Sequence, residues 1–74
     1  MTNIINLMSQ YGKVTIDIME MTVNCTTYSN YTKCINKLMN AGYIINSVDT
    51  MDEVITFIAD NILIQVNAPY GDDI

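Results

Sequence analysis

The chain has no histidine, no arginine and no tryptophan, and only one proline and three glycines among its 74 residues. Each shortage excludes something. Without histidine, the usual general base of neutral-pH catalysis and the commonest zinc ligand are both missing. Cys25 and Cys34, the two cysteines, supply neither a disulfide scaffold nor a thiolate zinc set, and with no histidine in the chain and no implied placement of lysine beside either thiol, neither reads as a nucleophile. With most of an expected helix between them, their Cα atoms should stand roughly 10 Å or more apart, so no bridge is expected. The glycines, Gly12, Gly42 and Gly71, are isolated, which excludes a phosphate-cradling loop.

Long apolar runs are also lacking. No stretch approaches the roughly 18 residues of a membrane span, and MTNIINLMSQ lacks the basic start of a signal peptide. The expectation is a soluble, cytoplasmic protein with no membrane partner, no metal and no cofactor. Cations are the last shortage: Lys13, Lys33 and Lys37 face eight acidic residues, for a net charge of −5. A nucleic-acid binder needs clustered cations to displace counterions from phosphate, so direct nucleic-acid binding is not expected. An acidic chain more naturally meets a protein with a basic surface.

What is present organises itself around Glu53–Asn67, EVITFIADNILIQVN, which reads as a β-hairpin closed by Asp60-Asn61, two residues that tolerate positive φ. Register then follows by arithmetic: Ala59 opposes Ile62, Phe57 opposes Ile64 and Ile55 opposes Val66, all on one apolar face. Val54, Thr56, Ile58, Leu63, Gln65 and Asn67 take the other. Upstream, Ile4, Leu7, Met8 and Tyr11 recur at helical spacing, predicting a short helix over 3–11 with Gly12 as its cap. Lys13 to Asn24 alternates, but its apolar parity slips once, from Val14, Ile16 and Ile18 to Met19, Met21 and Val23. A long strand bulged near Ile18-Met19 restores one apolar face; two short strands broken at Asp17 to Glu20 are the alternative. Tyr31, Cys34, Ile35, Leu38 and Met39 form a helical stripe after a cluster of capping residues, and Asn40-Ala41-Gly42 ends it. Tyr43 to Val48 is a strand, and Asp49 to Asp52 a turn.

The pattern predicts a small two-layer α+β domain in the order α-β-α-β-β-β, with one antiparallel sheet of about four strands, a main helix packed on it and a short N-terminal helix. Residues 1–67 form this domain and 68–74 an acidic, mobile tail. At this size folding buries only about 60 to 65% of the unfolded chain's surface, so help from a partner is plausible.

Chemistry-bearing groups are few. Asp17 and Glu20 are the best carboxylate pair, yet acid–base work needs two carboxyls in unlike environments, and a solvated strand face supplies none. Asp49, Asp52 and Glu53 lack the alternate-position ligands, central glycine and closing glutamate of a calcium loop. Enzyme activity is not expected. The more telling features are apolar. Ile58 and Leu63, with Val54, lie opposite the expected core face and read as an interface. Met19, Met21, Met39 and Met51 are adaptable groups of the kind that recur at partner-fitting surfaces, and the tail sets Tyr70 beside Asp72 and Asp73.

In composition and length, over the whole chain and on no motif, this short acidic sequence, rich in Asn and Ile, resembles the small accessory proteins of phages and mobile elements, anti-CRISPR proteins among them. That resemblance implies a non-catalytic module that binds and inhibits a basic, nucleic-acid-binding protein, with acidic side chains placed where nucleic acid would go. The residues available are Asp17, Glu20, Asp49, Asp52, Glu53, Asp72 and Asp73. The alternative is a homo-oligomer, a homodimer for example, in which Val54, Ile58 and Leu63 extend a subunit interface and no external basic target exists.

Overall fold

The second half of the chain folds as its alternation predicts. In the computed structural model, which describes residues 2–69, β4 (Val54–Ala59) and β5 (Ile62–Asn67) form an antiparallel hairpin whose register pairs Phe57 with Ile64 and Ile55 with Val66. Asp60 and Asn61 both have positive φ, 50° and 68°, the backbone that a two-residue primed turn demands. Before them come α1 (Thr2–Met8), β1 (Gly12–Asp17), β2 (Glu20–Cys25), α2 (Tyr28–Asn40) and β3 (Ile44–Asp49). The result is the expected two-layer α+β domain, with five strands in the sheet.

The fifth strand comes from Lys13–Asn24. That segment is two strands, β1 and β2, paired antiparallel with Val14 opposite Val23 and Asp17 opposite Glu20. The parity slip is therefore a hairpin, not a bulge: partners across a two-residue turn sum to an odd number, so a face made of even positions on one strand continues as odd positions on the next. Gly12 starts β1 rather than capping α1, which ends at Met8. A Cβ on Gly12 would lie 2.1 Å from the Asn24 carbonyl oxygen, so close strand approach demands glycine here.

The sheet is also mixed rather than all antiparallel. Its order is β1-β2-β5-β4-β3, and the central pair, β2 and β5, runs parallel with Met21 beside Ile64 and Val23 beside Val66. Parallel neighbours need a long crossover; here α2, β3 and β4 supply it. α2 starts with Thr27 as N-cap, whose side chain accepts from the Asn30 amide at 3.0 Å. It stops in a Schellman motif: Gly42 N–H donates to the Met39 carbonyl, Tyr43 N–H donates to the Leu38 carbonyl, and Gly42 takes φ 94°.

Both helices cover one face of the sheet. Beneath them Met21, Val23, Cys25, Phe57, Ile64 and Val66 meet Met8, Tyr11, Cys34 and Leu38 in one buried cluster. Cys25 and Cys34 both belong to this cluster, as free thiols, and the Cys34 thiol donates to the Met8 thioether at 3.4 Å. Among the described residues, no helix is long and apolar enough to cross a membrane.

Candidate functional site

The helix-free face of the sheet is a lattice of three rows, each crossing all five strands. Combining the pairings, one row reads Asp17, Glu20, Leu63, Ile58, Ile44; the middle row Thr15, Thr22, Gln65, Thr56, Ser47; the last Lys13, Asn24, Asn67, Val54, Asp49. The middle row is a polar ladder. The Ser47 and Thr56 hydroxyls lie 2.6 Å apart and the Asn46 side-chain amide donates to Thr56; separately, Gln65 donates to Asn67 and Asn67 to Asn24. Such a face satisfies its own polar groups and holds a flat frame.

The first row differs in kind. It sits where both two-residue turns emerge side by side, because parallel β2 and β5 begin at the same end; Leu63 N–H donates to the Met19 carbonyl at 3.0 Å and ties the two turns together. Between them opens a concavity of about 640 Å³. Residues 17–20 of the first hairpin wall one side of it, and Ile58, Leu63 and the Asn61-Ile62 end of the second hairpin wall the other. Ile18 is 89% exposed, Met19 58%, Ile44 72% and Ile58 44%. A second hollow shares Ile58 and runs on to Tyr43, Ile44 and Asp60. Three carboxylates, those of Asp17, Glu20 and Asp60, thus border an apolar floor.

Local rules are broken at this end. Ile18 has φ 53°, a left-handed backbone that a β-branched residue adopts only under strain. Asp17 and Glu20 face one another across the hairpin, an arrangement of like charges that destabilises a strand pair. Folding gains little from an isoleucine left in water at the tip of a turn. Three choices unfavourable to stability thus fall within four consecutive residues.

The remaining sequence-derived candidates lie elsewhere or are occupied. Asp49 stands at the diagonal corner of the sheet, roughly 23 Å from Asp17 by strand spacing and rise. Its Oδ1 accepts from the Met51 and Asp52 amides at 3.0 and 3.1 Å and so shapes the β3–β4 turn. Glu53, half-buried, accepts a hydrogen bond from the Tyr28 hydroxyl. Val54 shares the face with Ile58 but lies two rows away, next to Asn67. Asp72, Asp73 and Tyr70 lie outside the described residues. Met21 is core, whereas Met39 and Met51 are exposed. Among the described residues, no three side chains of the His, Cys, Asp and Glu types converge as a metal site.

Sequence reasoning names Met19 as a partner-fitting group and misses Ile18, Ile44 and Asp60. Asp60 was visible only as a turn residue. Neither Ile18 nor Met19 is a turn-former, so the sequence favours a bulge there; the alternative, two short strands broken at Asp17 to Glu20, is the one the structure has. No family model, curated protein or solved structure matches the chain.

Proposed function

We propose that the protein is a non-catalytic interaction module that uses the turn end of its sheet to bind, and thereby inhibit, a basic nucleic-acid-binding protein. The observation that carries the reading is the first row, which places Asp17 and Glu20 directly beside Leu63, Ile58 and Ile44 on a face no helix covers. An apolar centre with a charged border is the anatomy of a protein-binding patch: buried area supplies the affinity, and the carboxylates steer a cationic partner into place and select it. A basic surface that grips phosphate offers the complementary charge, so occupation by this acidic end would exclude nucleic acid. That such accessory proteins resemble this chain in size and composition agrees with the proposal.

The test is retention from host extract treated with nuclease, comparing the natural protein with the double variant Asp17→Lys/Glu20→Lys. A basic protein retained by the former and lost with the latter is expected, its affinity falling at least tenfold between about 0.1 and 0.5 M salt as screening shortens. The purified partner should then release a labelled oligonucleotide when the protein is added. Retention of acidic proteins only, or affinity indifferent to salt and to charge reversal, defeats the proposal.

Edge strand β3 favours a second reading, self-association. All six of its residues are exposed, Ile44, Ile45 and Val48 among them, and an unpaired edge of that kind templates strand addition. Against it, two copies each carrying −5 repel, and the register shift between Ile45 and Ser47 roughens the edge.

A further inference from the structure

The acidic pair at the turn end is given no cation by its own row. Asp17 and Glu20 oppose one another across the first hairpin, and the row they begin continues through Leu63, Ile58 and Ile44 with no lysine in it. Lys13 shares this face of the sheet but lies two rows away, about 13 Å along the strand. Lys33 and Lys37 belong to α2, on the opposite face. Cross-strand partners hold their Cβ atoms about 5 Å apart, so the two carboxylates reach a common point between them. Glu20 adjoins Leu63, which is half-buried, and Leu63 adjoins Ile58, each step one strand spacing of about 4.8 Å. All four side chains line one concavity, together with Ile18 and Met19.

Resting on the interface reading above, we propose that this concavity seats one arginine side chain of the basic partner, its guanidinium held between Asp17 and Glu20 and its stem laid over Leu63 towards Ile58. Charge complementarity selects a cation, because two carboxylates facing each other repel until one enters. Geometry then selects arginine over lysine. A planar guanidinium presents five N–H donors in a fixed fork and can satisfy two carboxylates at once, whereas an ammonium is a compact, strongly hydrated point charge. The floor makes the same choice: the weakly hydrated guanidinium and its methylene stem lie comfortably on Leu63 and Ile58, with the charged head at the acidic rim. At about 640 Å³ the concavity is of a size that takes a drug-sized molecule, more than one side chain occupies, so an apolar neighbour of that arginine fills the rest against Ile58 and Ile18. Arginine is the side chain best suited to grip phosphate, and one seated here is withdrawn from nucleic acid.

Capped tripeptides probe the seat on the intact protein. The sequence leucine-arginine-leucine is compared with versions carrying lysine or citrulline at the centre, citrulline having arginine's shape without its charge. Each is titrated into protein labelled at its isoleucine and leucine methyl groups and followed by NMR. The arginine peptide should shift the Ile18, Ile58 and Leu63 methyls, with an affinity about tenfold above the citrulline peptide and about threefold above the lysine peptide. Asp17→Asn/Glu20→Gln, which keeps the shape and removes the charge, should erase both differences while the protein stays folded by circular dichroism. Equal affinity for arginine and citrulline, a preference for lysine, shifts confined to the Asp49 corner, or no methyl shift at about 10 mM peptide overturns the proposal. A basic protein still retained from extract alongside any of these results leaves the interface standing and removes only the arginine seat. Arginine-selective binding with no basic protein retained does the reverse.

Discussion

Ile18 is the residue at which stability and function are set against each other. Its positive φ costs a β-branched side chain about 1–2 kcal/mol, and its side chain, almost wholly in water, returns nothing to the fold. Ile18→Asn, which accepts that backbone, should stabilise the protein by about 1 kcal/mol and raise its melting temperature by about 5 °C. The same variant should weaken partner binding at least tenfold. Thermal melts followed by circular dichroism and titration of the partner read the two effects separately; a melting temperature that falls would show the turn to be unstrained. A second residue-scale expectation concerns pH. Interaction with the Cys25 thiol, and then burial, push the Cys34 thiol far above its ordinary value of 9.0, while the same interaction holds Cys25 below it. The folded protein therefore keeps a proton that the unfolded chain releases. The Cys34 contribution to stability is complete below about pH 9 and is lost above it, by up to about 1.4 kcal/mol per pH unit, whereas the lowered Cys25 contributes stability that is complete above about pH 9 and is lost as pH falls. Tyr31, raised by burial and by the neighbouring Cys25, adds to the decline above its ordinary value. Urea midpoints measured from pH 7.5 to 10.5 should show the loss, and Cys34→Ala should reduce it.

Between elements, the two hairpins make an instructive pair. β4–β5 announced itself because Asp60-Asn61 is turn chemistry and the strands alternate on either side; its register was readable to the residue. β1–β2 has the same arithmetic, yet Ile18-Met19 offers no turn signal, so a bulge explained the parity slip equally well. α2 was legible from its stripe and caps, while Gly12 was misplaced because a glycine required by close strand approach looks in sequence like one required by a helix end. The open face of the second hairpin is where substitution should be least costly. Ile58→Asp removes a half-exposed side chain and leaves the buried cluster intact, so the variant should remain folded by circular dichroism. If β3 and this face mediate self-association, light scattering across protein concentration should show the natural protein above monomer mass and the variant at it; monomers in both cases leave the patch free for a different partner.

Across the whole molecule, charge is uneven in place as well as in sign. The acidic residues named from sequence do not form one surface: Asp17, Glu20 and Asp60 gather at the turn end, whereas Asp49, Asp52 and Glu53 gather at the diagonal corner, where two of the three are engaged in turn or side-chain hydrogen bonds. Asp52→Lys should therefore leave binding within about twofold, while Asp17→Lys/Glu20→Lys abolishes it, as contact charges are worth far more than charges beyond a Debye length of about 8 Å. Comparable losses from both would mean that net charge, not a defined site, drives association. The sequence by itself determined the helices, the last three strands, the faces of the C-terminal hairpin, the two-layer α+β class and the scarcity of catalytic groups, because period, turn chemistry and residue inventory are local or additive. Only the tertiary structure decided that β2 and β5 are neighbours. Glu20 meets Leu63 across 43 positions of chain, through a parallel pairing that leaves no mark in either strand's own pattern. An edge-to-edge contact of backbones is blind to side-chain period, so the acidic pair and the apolar patch became one surface only when the sheet closed between them.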